Sequence, residues 1–172
     1  MGFNTTSVWI KVAFICLLLA LVLFVIGFAT ISWMTSYNYA LGLWKTKSCY
    51  NTIRHYDGRC RTSSITSAWL KLAGWEDWFR ATQAFECIGL ICLGMALLIM
   101  FLFVFVDSMK KRSPLLAVIF FCFGAVLAMV IGFLILGLKL DHLDIGWSMG
   151  LAIAGCILTF VAGVMSVIDL KK

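Results

Sequence analysis

Four long apolar runs alternate with short polar segments along this chain. The runs cover residues 12–31, 85–106, 114–138 and 146–168. Each is long enough to cross about 30 Å of hydrocarbon as a helix, which takes roughly 20 apolar residues. The runs are continuous rather than alternating, and backbone groups in lipid must be satisfied within the segment, so the pattern excludes a closed barrel. It predicts a single membrane domain of four transmembrane helices over residues 1–172.

Composition supports a membrane protein. Of the 172 residues, 63% are hydrophobic and 13% are charged, which is too apolar for a soluble domain of this length. The polar segments are a long loop at 34–80, a turn at 107–113 and a second loop at 139–145. The turn has three basic residues in seven, which is typical of a cytoplasmic loop, whereas a long loop that folds as its own domain escapes this bias more easily.

The positions of the cysteines also indicate which side of the membrane the long loop is on. Cys49 and Cys60 lie together in the long loop, and the other five cysteines lie inside apolar runs. A bridge between the loop pair needs an oxidising compartment. We therefore predict a plasma-membrane protein with the long loop outside the cell and both termini in the cytoplasm.

The long loop also carries a recognisable motif. Trp33, then Gly42-Leu43-Trp44, then Cys49 and Cys60 form the pattern W…GLW…C…C. This resembles the signature of the claudin superfamily, which includes peripheral myelin protein, the epithelial membrane proteins and the lens fibre membrane intrinsic protein. The stretches "WFRATQAFECIGL" (78–90) and "GWSMGLAIAG" (146–155) resemble the second and fourth helix entries of the myelin and epithelial branch. The short second loop also favours that branch over tight-junction claudins.

The resemblance implies a fold and roles for these residues. The first outer loop is expected to form a small antiparallel β-sheet on top of a left-handed four-helix bundle. Trp33, Leu43 and Trp44 would supply the apolar underside of the sheet, and a Cys49–Cys60 disulfide would join two adjacent strands. Arg80 matches the arginine that claudins carry near the top of the second helix.

The second helix is predicted to begin near Trp75, outside the membrane, and to run through Arg80 without interruption. Gly74 is a break, and Glu76 and Asp77 then fall in the first helical turn, where the helix dipole favours negative charge. Apolar side chains around this start form a candidate contact surface for a neighbouring protomer, a partner protein or lipid head groups. The alternative is that they pack under the sheet. They are Trp69, Leu72, Trp75, Trp78 and Phe79.

Two further features lie within the apolar runs. Glu86 is an intramembrane acid. It is either a structural residue, which reaches the interface or pairs with Arg80 or Lys139, or a contact for a proton, an ion or a partner. Small residues at four-residue spacing are candidates for packing between helices, either within the bundle or in a dimer. They are Gly124, Ala128, Gly132, Gly146, Gly150 and Ala154.

The sequence contains no recognisable catalytic or cofactor-binding motif. Asp141, His142 and Asp144 are expected to be solvated residues of the second loop rather than a metal site. We therefore expect neither enzymatic activity nor a cofactor.

The charge of the long loop indicates its partners. Seven basic residues against three acidic ones give the loop a net charge of +4. Nucleic acid is excluded outside a cell, which leaves acidic partners, glycans, anionic lipid heads or anions.

The expected function is cell–cell contact, junction or membrane organisation, through association with membrane lipid and with other membrane proteins in a homo- or hetero-oligomer. Two alternatives remain. One is an auxiliary subunit of an ion channel or receptor, as the AMPA-receptor regulatory proteins of the superfamily are. The other is a paracellular pore that favours anions.

Overall fold

A computed structural model describes residues 7–37, 39–49, 60–66, 70, 74, 76–106, 112–139 and 144–171. Within these residues there are four long helices: α1 (Val8–Ala29), α2 (Glu76–Phe105), α3 (Arg112–Lys139) and α4 (Trp147–Leu170). Each is long and apolar enough to cross a membrane. The chain is therefore a multi-pass membrane protein, as the apolar runs predict.

The helices form a ring of four neighbours. Helix α1 packs mainly against α4, α2 mainly against α3, and smaller contacts between α3 and α4 and between α1 and α2 close the bundle. Large apolar side chains are exposed on the outside of every helix, for example Val22, Ile91, Phe120 and Ile157. Such a surface is stable only against lipid hydrocarbon, because water would make its exposure costly.

Helix α2 starts well before its apolar run. It begins at Glu76 and continues without a break to Phe105, in agreement with the prediction from its acidic first turn. Gly74, just before it, has a φ of 68°, a left-handed conformation that glycine adopts without strain. The first turns of α2 lie beside the sheet described next, where the side-chain amide of Gln83 donates to the carbonyl of Leu43.

The remaining described elements form one small antiparallel sheet. Its strands are β1 (Met34–Ser36), β2 (Tyr39–Leu41), β3 (Lys45–Cys49), β4 (Cys60–Ser64) and β5 (Asp144–Ile145), in the order β4-β3-β2-β1-β5. A disulfide joins Cys49 and Cys60, which are directly paired on adjacent strands. This confirms the predicted sheet and bridge. That the second loop contributes strand β5 was not predicted.

The small residues predicted to pack between helices on α3 and α4 do not all lie at contacts within the bundle. A side chain added at Gly124 or Gly150 would meet no atom within 4 Å, so neither glycine lies at a close contact within the bundle. Gly146 lies against the backbone of Ser32, at a strand–helix junction rather than between helices. Ala128 and Gly132 are buried, whereas Ala154 is half-buried.

The buried small residues of α4 follow a different spacing. They alternate by four and three positions, which keeps one side of a helix facing its neighbours, whereas a constant spacing of four drifts around the axis. The residues on this face are Ser148, Ala152, Gly155, Thr159, Ala162 and Ser166.

Candidate functional site

Trp33 connects the bundle to the sheet. Its side chain is buried at the end of α1, and its indole Nε1–H donates a 2.7 Å hydrogen bond to the carbonyl oxygen of Gly27. That oxygen is in the last turn of α1, and it also accepts longer bonds from the amide and the hydroxyl of Thr30, at 3.4 and 3.2 Å. The ring also packs on Phe133 of α3, with 5.9 Å between ring centroids. One side chain thus joins α1, α3 and the start of β1.

The Gly-Leu-Trp triplet holds the sheet to α1 and α2. Ile31 lies just after the end of α1, and a Cβ at Gly42 would lie 2.7 Å from its Cα. Only glycine therefore fits at position 42. Leu43 is buried, and its carbonyl accepts a 2.7 Å hydrogen bond from Nε2 of Gln83. Trp44 packs on Phe28 but remains 38% exposed, so it lies at the rim of the sheet rather than beneath it.

A second junction ties the start of α4 to the same region. Helix α4 has no side-chain cap; instead, the amide of Ser148 donates to the carbonyl of Ser32 at 3.1 Å. The amide of Gly146 donates to the carbonyl of Trp33 at 2.8 Å. The hydroxyl of Thr30, just after α1, donates to Oγ of Ser148 at 2.8 Å. Together these bonds fix the sheet over the bundle, since they satisfy amides that the helix leaves free.

The two faces of the sheet differ sharply. Met34, Leu41 and Thr46 are buried toward the bundle. Because side chains alternate along a strand, their neighbours point away from the bundle and form what we call the outer face. One cross-strand row of this outer face consists of Asp144, Thr35, Ala40, Lys47 and Thr62. The outer face is polar, and it is also cationic because Lys45 lies on it, two residues from Lys47.

A shallow hollow of about 180 Å³ lies at one end of this face, and Thr35, Tyr37, Ala40, Lys47 and Cys49 are among its lining residues. The Tyr37 ring is 94% exposed.

Tyr39 lies on β2, between β1 and β3, and it also lines the hollow. Its hydroxyl is buried and has no hydrogen-bond partner among the described residues. Burial raises the pKa of Tyr39 to about 12, so the phenol stays protonated at neutral pH.

Glu86 is placed differently from the prediction. It is fully buried, and within the described part of the chain neither carboxylate oxygen has a hydrogen-bond partner. Its carboxyl lies directly against Gly132 of α3. The predicted pairing with Arg80 or Lys139 is wrong, because both of those side chains are exposed while Glu86 points into the bundle.

The orientation of Glu86 follows from the spacing of buried residues along α2. Positions separated by three and four residues face the core, and Glu86 occupies one of them. These core-facing residues are Phe79, Thr82, Glu86, Gly89, Leu93, Ala96 and Met100. Arg80 is one position beyond Phe79 and therefore lies on a different side.

The candidate contact surface also needs correction. Phe79 is fully buried and packs in the core, so it is not available to a partner. Trp78 is half-buried, with its ring 5.7 Å from that of Phe79. Trp69, Leu72 and Trp75 lie outside the described residues.

An exposed apolar pair lies at the start of α4. These residues are Ile145 and Trp147, which are 65% and 58% exposed. An exposed tryptophan at the end of a membrane helix is typical of the membrane–water interface. This places the interface near the level where the bundle meets the sheet.

Nothing in the described ranges resembles a metal site, because no three His, Cys, Asp or Glu side chains gather there. Asp144 is on β5, whereas Asp141 and His142 lie outside the described residues. No protein-family model matches this chain, and no curated protein matches it. Its function therefore has to be argued from its own residues.

Proposed function

We propose that this protein is a non-enzymatic, claudin-like tetraspan protein of the plasma membrane, which acts in cell–cell contact, junction or membrane organisation. The observation that carries the proposal is the outer face of the sheet. It is polar and cationic, and it is held rigidly over a bundle that lies in lipid. A surface built in this way presents charge to a partner while its own position is fixed.

The claudin-like assignment is supported by what the motif residues do physically. Trp33 anchors the sheet, Gly42 allows the chain to cross at close range, and Leu43 fills the underside. The Cys49–Cys60 bridge pins the neighbouring strands. Five of the six positions in the W…GLW…C…C pattern thus have a physical reason for their residue type in such a fold; the exception is Trp44, at the rim of the sheet.

The proposed orientation has the sheet outside the cell and both termini in the cytoplasm. A disulfide in the sheet is favoured by the oxidising environment of the secretory pathway and the cell surface. The basic turn at 107–113 joins α2 and α3 at the end of the bundle away from the sheet, and it favours the cytoplasm. Lateral partners would then meet the apolar bundle, and partners on another cell would meet the outer face.

The test is the distribution of the protein between cells in culture. The chain, with a fluorescent protein at its C-terminus, is expressed in part of a cell population, and its density at contacts is compared with that at free membrane. We expect enrichment at contacts. A double variant, Lys45→Glu with Lys47→Glu, should reach the surface but lose the enrichment. Lys171→Glu is the matched control, because it changes charge at the opposite end of the bundle.

A uniform distribution of the wild-type protein would contradict the contact function. The auxiliary-subunit alternative is favoured by one observation, the exposed pair Ile145 and Trp147, which offers an apolar surface beside the membrane. Co-purification of a channel in mild detergent, lost in Trp147→Ser but retained in the Lys45 and Lys47 variant, would support that alternative.

A further inference from the structure

We propose that the hollow on the outer face binds one acidic sugar residue, of the sialic or uronic acid class, in a glycan on a neighbouring surface. This rests on the proposed function only in that the sheet must face the outside of the cell. The chemistry of the partner, which the proposed function leaves open, follows from the shape of the hollow, the groups that line it and the charge around it.

The shape comes from one small side chain between two longer ones. Ala40 pairs with Thr35 on one side and with Lys47 on the other, so its methyl group forms a floor between them. Tyr37 and Cys49 also line the hollow. Its volume of about 180 Å³ is below the roughly 300–1,000 Å³ of sites for larger ligands, so it suits a single ring rather than an extended chain.

The lining groups match a sugar acid. Lys47 is exposed, and no carboxylate of the described residues forms an ion pair with it, so its ammonium is available for a charge-assisted hydrogen bond to a ligand carboxylate. The Thr35 hydroxyl can both donate to and accept from a sugar hydroxyl. The Tyr37 ring is 94% exposed and offers a flat apolar surface on which the carbon face of a sugar ring can stack.

The surrounding charge favours an anion. Asp144 is the acidic residue in the same cross-strand row, three strand spacings from Lys47, or about 14 Å. That distance exceeds the screening length of about 8 Å at physiological salt. Lys45, on the same face of β3, adds to the positive potential around Lys47.

The position of the hollow favours an anion from outside the cell over a second copy of the chain or a lipid head group of the same membrane. A second copy meeting this face with its own would bring lysines together, which costs free energy. The lipid heads of the protein's own membrane lie on the other side of the sheet, where Met34 and Leu41 face the bundle. An acidic glycan from outside satisfies both constraints.

The experiment measures binding by the full chain in nanodiscs of neutral lipid. The probes are sialyllactose and a short heparin-derived oligosaccharide, with lactose as the neutral counterpart. Polyglutamate and phosphatidylserine vesicles represent the acidic protein and lipid alternatives. We expect an acidic sugar to bind and lactose not to bind. Lys47→Glu should weaken binding about tenfold or more, because it removes a hydrogen bond to a charged group.

Four variants distinguish a specific binding site from general electrostatic attraction. Ala40→Leu fills the floor without changing charge, and it should abolish binding while the melting temperature stays near that of the wild type. Tyr37→Phe should retain binding and Tyr37→Ala should lose it. Lys45→Glu is the matched control for Lys47→Glu, with the same change on the same strand but outside the lining of the hollow, and it should weaken binding much less.

The proposal is overturned if neither acidic sugar binds, or if polyglutamate or the vesicles bind equally well. It is also overturned if Lys45→Glu and Lys47→Glu weaken binding equally while Ala40→Leu has no effect, because the attraction would then be diffuse. Each of these results can occur while the protein still concentrates at cell contacts. Failure of this inference is therefore distinguishable from failure of the contact function.

Discussion

Buried polar side chains in this protein differ in whether their hydrogen-bonding groups are satisfied. The hydroxyls of Thr159 and Ser166 each donate to a carbonyl of their own helix one turn earlier, and the Trp33 indole donates across elements. Tyr39 and Glu86 have buried oxygens without a partner among the described residues. Removing a group should therefore have opposite effects at these two kinds of position.

Substitutions of Trp33 test a buried polar group that has a hydrogen-bond partner. Trp33→Phe keeps an aromatic ring but removes the shortest of the hydrogen bonds to the carbonyl of Gly27, which keeps its longer bonds from Thr30. We therefore expect a loss of about 1 kcal/mol in the free energy of unfolding. Trp33→Ala should cost roughly 3–5 kcal/mol, because a buried ring is removed, and should cause retention in the secretory pathway. Thermal unfolding in detergent measures both. If Trp33→Phe is as stable as the wild type, the hydrogen bond contributes nothing.

A substitution of Tyr39 tests a buried polar group that has no hydrogen-bond partner among the described residues. Tyr39→Phe removes a buried hydroxyl without a partner, so the variant should be at least as stable as the wild type. The folded-state pKa is raised from the ordinary 10.0 to about 12, so the stabilisation that depends on a protonated phenol is complete below pH 10 and is lost as the pH rises toward 12. Unfolding curves across this window should show a smaller alkaline loss for Tyr39→Phe. An identical pH dependence would contradict this assignment.

Glu86 and Gly132 should be energetically coupled. A methyl group at position 132 would overlap the Glu86 carboxyl, the end of a flexible side chain that would have to shift, so Gly132→Ala should lower the stability by about 1 kcal/mol. Glu86→Ala makes room, so the double variant should recover most of the loss introduced by Gly132→Ala. Gly124→Ala is the control on the same helix, because a side chain there meets no atom within 4 Å. Additive effects in this double-mutant cycle would show that the two residues do not interact.

Helices α1 and α4 pack with their backbones very close together. A Cβ at Gly27 would lie 2.6 Å from the carbonyl oxygen of Ser148, and one at Gly155 would lie 2.9 Å from that of Ala20. Backbones can approach this closely only where both sides carry small residues. At the Gly27 end, hydrogen bonds between Ser148 and the chain after α1 extend the same interface. The α1–α4 pair therefore acts as the support on which the sheet is built.

Gly27→Ala should separate this pair. The added methyl group meets backbone atoms of α4, which cannot rotate away as a side chain could, so we expect a loss of about 1–3 kcal/mol. Gly150→Ala on α4 is the control, because a side chain there meets no atom within 4 Å. Melting temperatures in the same detergent compare the two. A greater loss for Gly150→Ala would mean that this glycine packs against another molecule, as in the dimer alternative.

The whole molecule combines two parts that are stabilised in different ways. The helices satisfy their own backbone groups and are held in place by lipid. The sheet is small, with strands of two to five residues, and a short sheet has too little core to be stable alone. It depends on Trp33, on Leu43 and on the disulfide. Loss of the disulfide should therefore affect the two parts unequally.

The double variant Cys49→Ser, Cys60→Ser tests this dependence. The bridge spans 11 positions, for which the chain-entropy model gives a stabilisation of roughly 3 kcal/mol. We expect faster amide hydrogen exchange in β3 and β4, with the helical circular dichroism unchanged. The five cysteines of the helices are left in place as an internal reference. Unchanged exchange in β3 and β4 would contradict a structural role for the bridge.

The sequence by itself determined the number of helices, the early start of α2 and the bridge between Cys49 and Cys60. These features depend on local chemistry: hydrocarbon thickness sets the length of an apolar run, and an acidic first turn marks a helix start. The paired cysteines were identifiable because they lie apart from those in the apolar runs. The sheet itself was expected only from the resemblance of the loop motif.

Only the tertiary structure decided which side of each element faces which neighbour. A helix that is apolar all round has no polar face to reveal its rotation, so the burial of Glu86 and Phe79 and the open side of Gly124 depended on packing. The same holds for β5, because a two-residue strand carries too little pattern to predict its pairing. The hollow needs Ala40 to lie between Thr35 and Lys47, and that neighbourhood exists only once three strands are in register.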